Sequence, residues 1–184
     1  MKRYITATAI VALSFLMVSC TANKTATTPL DQEKALAYVQ ETKELLMGTL
    51  MKKIKENGTE NALEFCNINA LPLTKSVAVK HQTQIKRVSD KNRNPQNKAN
   101  AQEIALINRY KAQLLEGKEV GAVMKDHQLY VPIVTNSQCL KCHGVAGETI
   151  ELKTAEKLKK LYPNDLATGY KVNEIRGLFV VSSK

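Results

Sequence analysis

Residues 137–147 read SQCLKCHGVAG, which sets Cys139 and Cys142 three apart with His143 directly behind the second. Two thiols and an imidazole in this order serve three chemistries: a dithiol redox pair, a zinc site, or covalent attachment of haem. In the third, the two sulfurs form thioether bonds to the porphyrin vinyl positions and the histidine reaches the iron from one face. Cys139 and Cys142 are then the tethers of one covalent haem c, and His143 is its proximal ligand. A dithiol pair calls for a helix N-terminus in a βαβ setting, whereas the residues before Cys139 read as a hairpin. A zinc site would have to recruit Cys66, because the chain has no second C-x-x-C, and adjacent Cys and His ligands crowd one small ion. The five-letter C-x-x-C-H run therefore favours haem.

A second axial ligand has to come from upstream, since no Met or His follows His143. The candidates are Cys66, His81, His127, Met47, Met51 and Met124. Met47 and Met51 fit the apolar stripe of a helix, and His127 sits in an expected turn open to solvent. His81 is undecided by its surroundings. Cys66, in NALEFCNINA, lies on the apolar side of an expected short helix. It reads either as a buried small hydrophobe or as a thiol in use.

The N-terminus bears on the compartment. Lys2 and Arg3 precede an apolar run from Ala7 to Val18, followed by Ser19 and Cys20. This pattern reads as a secretory leader over residues 1–19, too short and wrongly flanked for a stable membrane span. MVSC resembles a bacterial lipobox, which would make Cys20 a lipidated mature N-terminus; the alternative is an ordinary leader with an incidental cysteine. Residues 20–31 are polar and Thr-rich and read as a tether between lipid and domain. The expected location is the cell envelope, facing the periplasm. Loss of Lys2 and Arg3 with the leader lowers the formal charge from +10 to +8. In an exported protein this does not argue for nucleic acid. It suits an acidic redox or signalling partner, an anionic membrane surface, or an anionic cofactor.

Removing the leader leaves about 165 residues, enough for one domain with a core. Asp31 to Asn57 reads as a long helix with Leu36, Val39, Leu46, Leu50 and Ile54 on one face. Asn57-Gly58 stops it, and Thr59 can cap a second helix that ends before Pro72. TQIKRVS reads as a strand, DKNRNPQN as a polar loop, and Ala101 to Leu115 as a helix. EVGAVMKDHQLYVPIV reads as two short strands around a Lys-Asp-His turn, leading into the cysteine cluster. A short helix is expected over Thr154 to Leu161, and IRGLFVVSS closes the chain as a strand. The fold class is α+β, with long N-terminal helices and an antiparallel sheet. Pairing of two copies through those helices is compatible with the pattern.

Four separated segments, ALEFCNINA, IKRVSDKNRNPQN, YVPIVTNSQCLKCHG and YPNDLATGYKVNEIRGLFVVS, occur in the order found in a bacterial family. They resemble c-type haem proteins with a PAS-like fold, known as exported stand-alone proteins and as sensor modules. The likeness covers about residues 32–184. It implies a PAS-like domain in which the iron is held by His143 and by Cys66 of the upstream helix. Arg87, Ser89, Arg93, Asn94 and Asn97 match the family's polar motif, and Tyr170, Arg176 and Gly177 its closing motif. Arg93 and Arg176 are candidates to pair with haem propionates, because guanidinium presents a bidentate fork to a carboxylate. The alternative is that NRNPQN is a hydrogen-bonded turn.

With imidazole and thiolate ligands the ferric state is favoured, and a low reduction potential is expected. Reduction would ease protonation and release of Cys66, which is a route to sensing. Plain electron transfer needs the ligands to stay in place. No acid–base pair is tied to a pocket by sequence, so no enzymatic role is expected. A sensor needs an output, and no kinase or cyclase accompanies this domain. Redox or electron transfer is therefore the first reading, and redox or gas sensing through a partner the second.

Overall fold

The computed structural model describes residues 29–184. The leader reading and Cys20 lie outside them. Among the described residues no helix is long and apolar enough to cross a membrane.

The first element, α1 (Gln32–Lys80), contains one break, at Gly58 (φ 77, ψ 170). Its start is fixed by Asp31, whose side chain accepts from the Lys34 N–H at 3.0 Å. The backbone conformation at Gly58 is essentially confined to glycine, so the expected stop at Asn57-Gly58 becomes a corner. Beyond it the second arm doubles back along the first. Glu41 receives hydrogen bonds from Lys80 at 2.8 Å and pairs with His81 at 2.7 Å, and His81 stacks on Tyr38 at 4.0 Å. Nearer the corner, Lys53 lies over the Phe65 ring. The expected end of this arm before Pro72 is corrected: the helix runs on through Pro72 to Lys80. An interior proline costs about 3 kcal/mol. Burial of Thr74, Val77 and Ala78 beyond it supplies the compensating contacts.

Four strands form one antiparallel sheet in the order β1-β4-β3-β2, where β1 is Thr83–Val88, β2 Val123–Lys125, β3 Gln128–Val134 and β4 Ile175–Ser183. The period-2 alternation of strands assigns the faces. Leu129, Val131, Phe179 and Val181 pack with Ala35, Val39 and Val77 of α1. Tyr130, Leu178 and Val180 pack on the other side with Ile107 and Tyr110 of α2 (Ala101–Leu115). A strand buried on both faces reads as a continuous apolar run, which explains GLFVV in β4. Asn100 and Glu103 form a reciprocal cap at the start of α2. Asp126 (φ 49) and His127 (φ 59) make the tight β2–β3 turn, whose backbone matches strand twist.

β2 ends opposite Tyr130, so the rest of β3 has a free edge. Pro132 sits on that free stretch, where its missing N–H costs no ladder bond. A register shift between Ile133 and Val134 then turns the chain out of the sheet. Two short helices follow, α3 (Ser137–His143) and α4 (Leu152–Leu161). α4 packs Leu158 against Leu63 of the second arm of α1, with Cys142 and Tyr162 alongside. The space left between the hairpin, the free edge of β3 and α3 is the site.

Candidate cofactor site

A cavity of about 460 Å³ opens there, lined by Cys66, Cys139, Cys142 and His143 together with apolar side chains from both arms of α1. This is within the range of about 300–1,000 Å³ typical of small-molecule and cofactor sites.

The cysteine helix is held from both ends. Asn136 caps α3, its side chain accepting from the N–H groups of Gln138 and Cys139 at 3.0 and 3.2 Å. At the other end Tyr170 and Gly169 donate to the carbonyls of His143 and Gly144 at 2.9 and 2.7 Å. Buried Thr135 braces the same loop, donating to Lys171 and receiving from Glu174. The ring of His143 is edge-on to Tyr170, and its Nδ1–H donates to the Ala167 carbonyl at 2.7 Å. That bond fixes the tautomer and leaves Nε2 as the free donor atom. Burial, with Arg176 and Arg93 nearby, holds the imidazole pKa well below its usual value, so the ring is neutral, as a metal ligand must be.

Cys139 and Cys142 are free thiols, not a disulfide. They stand on a helix, as a dithiol pair would require, but the preceding strand belongs to an antiparallel sheet with no βαβ unit. Burial raises the Cys142 pKa to about 11, the opposite of an activated redox thiol. Among the described residues no three His, Cys, Asp or Glu side chains converge as a zinc ion requires. The donors are instead spread around a cavity wall.

Of the six candidates for a second axial ligand, Cys66, Met47 and Met51 line the cavity. His81 is engaged by Glu41 and Tyr38, His127 is exposed in its turn, and Met124 packs against the core on the α1 side. The apolar stripe expected on the first arm is thus divided. Leu36 and Val39 enter the core, whereas Leu46, Leu50 and Ile54 face the cavity with both methionines. Burial pushes the Cys66 thiol pKa up, and the guanidinium groups of Arg87 and Arg93 pull against that shift.

The charge of the wall is one-sided. Lys43, Arg87, Arg93 and Arg176 line the cavity, and among the described residues no Asp or Glu does. Arg93 is committed elsewhere: its Nε pairs with Asp165 at 2.9 Å, and Nη2 donates to the carbonyls of Cys142 and Ala167 at 2.6 and 3.3 Å. It therefore ties α3 to the carbonyl that orients His143. Arg176 donates from Nη1 to Ser89 and Lys91, and Arg87 from Nη2 to the Ala70 carbonyl. The Nε atoms of both are buried without a partner. Unpaired buried cations beside an apolar cavity fit an anionic group with a large apolar body, and haem with its two propionates is such a group.

Sequence reasoning assigned no role to Asp165, Ala167 or Thr135, although the first two stand in the quoted segment YPNDLATGYK. Their function lies in contacts across more than twenty residues of chain, which no local spacing reveals.

The fold is similar to that in the crystal structure of the cyanobacterial haem protein Tll0287, with a TM-score of 0.59 and 20% sequence identity over 82% of this chain and 92% of that one. No curated protein matches the chain. The family model described as Tll0287-like matches residues 19–183. The hairpin, the sheet and both site helices all fall within that span, and the chain belongs to the Tll0287-like family.

Proposed function

We propose that this chain is an exported, lipid-anchored c-type haem protein with a PAS-like domain, acting in redox chemistry or electron transfer. The observation that carries the reading is the meeting of both C-x-x-C-H thiols, His143 and Cys66 on one cavity whose wall, among the described residues, holds basic side chains and no carboxylate. Similarity to a haem protein supports the choice of group. Haem would supply a one-electron couple between ferric and ferrous iron. Cys139 and Cys142 would hold it covalently, and His143 and Cys66 would supply the protein ligands to its iron. The Ala167 carbonyl keeps His143 in the ligating tautomer; burial raises the Cys66 pKa, and Arg87 and Arg93 oppose that shift without reversing it. Leu46, Leu50 and Ile54 exclude water from the apolar side. Lipidation at Cys20 places the protein at the envelope membrane, facing the periplasm. Its net positive charge suits an acidic redox partner. Nothing in the reading calls for an enzymatic step.

One observation favours a second role, redox or gas sensing through a partner protein. Cys66 stands on the arm that starts at the Gly58 corner and is clasped at its far end to Glu41. Release of the thiol would be felt along one continuous helix. The experiment that tests both readings is absorption spectroscopy of protein matured with haem-attachment machinery. Cys66→Ala is expected to keep the covalent haem and to shift the ferric spectrum away from six-coordinate low-spin. Met47→Leu and Met51→Leu are expected to leave that spectrum alone. A spectrum unchanged in Cys66→Ala and altered in a methionine variant would transfer the ligand role. Rapid carbon monoxide binding to the reduced protein would favour sensing over electron transfer.

A further inference from the structure

The three arginines of the cavity wall are not equivalent. Arg93 has its guanidinium spent on Asp165 and on two main-chain carbonyls. Arg87 and Arg176 have no carboxylate partner among the described residues, and each keeps a buried Nε–H that donates to nothing. They come from neighbouring strands, β1 and β4, where Arg87 is paired with Phe179 and Val88 with Leu178, so both arginines reach the same end of the sheet. Ser89 completes the connection, donating to the Arg176 carbonyl and receiving from the Arg176 side chain, each at 2.8 Å. On top of the cost of burial, Arg176 lies close enough to Arg87 to disfavour the charge on the Arg87 guanidinium. A close approach of backbone makes this possible. A Cβ on Gly177 would meet the Val88 carbonyl oxygen at 2.2 Å, so only glycine lets β4 press against β1 beside Arg176.

We infer that Arg87 and Arg176 together form a site for a pair of carboxylates, the propionates of a porphyrin seated in the cavity, and that Arg93 is not part of it. The inference rests on the haem reading above and names the residues that receive its charged edge. Two fixed cations with spare donors balance two carboxylates without further protein charge, whereas either group buried alone would be costly. Arg87 also bonds to Ala70, one turn beyond Cys66, so the carboxylate site and the thiol share a helix arm.

The test uses the full chain produced without haem attachment and kept reduced. Two fluorescent probes are titrated into it: metal-free mesoporphyrin IX, and its dimethyl ester, which has the same ring without the charges. Arg87→Gln and Arg176→Gln are each expected to weaken binding of the free acid about ten-fold or more, the loss of one charge-assisted contact, and to change ester binding far less. Arg93→Gln is expected to affect acid and ester alike. Where a glutamine variant does not fold, the lysine variant replaces it, with a smaller loss confined to the acid. Equal losses for acid and ester in the Arg87 and Arg176 variants would overturn the inference while leaving the cavity reading intact. A loss confined to the acid in Arg93→Gln would overturn the division among the arginines. If neither probe binds the unaltered chain, the haem reading falls and this inference with it.

Discussion

Arg93 shows how one side chain can hold a site together without entering its chemistry. Its guanidinium joins Asp165, the Cys142 carbonyl and the Ala167 carbonyl, and Ala167 in turn orients His143. Arg93 and Asp165 are both nearly buried, with side chains 11% and 9% exposed, so removing one leaves the other charge stranded. Arg93→Ala is expected to lower stability by about 3–5 kcal/mol, measured by denaturant unfolding, far more than loss of a surface ion pair. The spacing of Cys139, Cys142 and His143 marked them as one candidate cluster, and the structure brings all three to one cavity. The partnership of Arg93 was not. Its residues lie far apart in the chain, and a guanidinium in a polar segment reads equally well as a turn or as an anion site. The candidate pairing of Arg93 with a propionate meets an arginine already engaged, and Arg87, noted only as a motif match, keeps a donor to spare as Arg176 does.

The same contrast recurs in the secondary-structure elements. The strands and α2 were legible because each follows a local rule: alternation in β1, a continuous apolar run in β4, helical apolar spacing in α2, a tight turn between β2 and β3. Gly58 was correctly marked as an interruption, but interruption and reversal look alike in sequence. The tertiary contacts of Glu41 and Tyr38 with His81 decide for reversal. Pro72 was read as an end because local cost argues for one, and packing of the following turns against the sheet outweighs it. Two predictions belong to this hairpin. Gly58→Ala is expected to destabilise the protein by about 1–3 kcal/mol in a denaturant melt, since the added methyl meets no atom within 4 Å and only backbone strain opposes it. The clasp is expected to be acid-sensitive. Hydrogen bonds from Lys80, and then from His81, hold the Glu41 carboxyl below its usual pKa of 4.5. A depressed folded-state value contributes stability that is fully present above the unfolded value and is lost as pH falls through the folded one. Stability measured across pH 5 to 3 should therefore drop less in Glu41→Gln than in the unaltered chain, and equal slopes would remove the clasp from the account.

For the molecule as a whole, a helical hairpin and a two-sided sheet form a stable frame, and the cavity lies where that frame is left open. β2 stops short, Pro132 takes the free edge, and a bulge delivers the chain into α3. The basic wall and the net positive charge act at different ranges: under the proposed function the first would favour an anionic occupant, and the second would favour encounter with an acidic partner. The α+β class with long N-terminal helices was legible from periodicity, whereas a cavity is a property of what the elements fail to fill. Sequence patterns record residues that pack and are silent about space. Leu46, Leu50, Met51 and Ile54 accordingly read as core and turn out to line a void.

The most direct measurement is the mass of the denatured full chain after production in cells competent for cytochrome maturation, set beside Cys139→Ser/Cys142→Ser. The account predicts one haem's added mass on the unaltered chain and none on the double variant. An unaltered chain with no added mass and no visible absorption would contradict it.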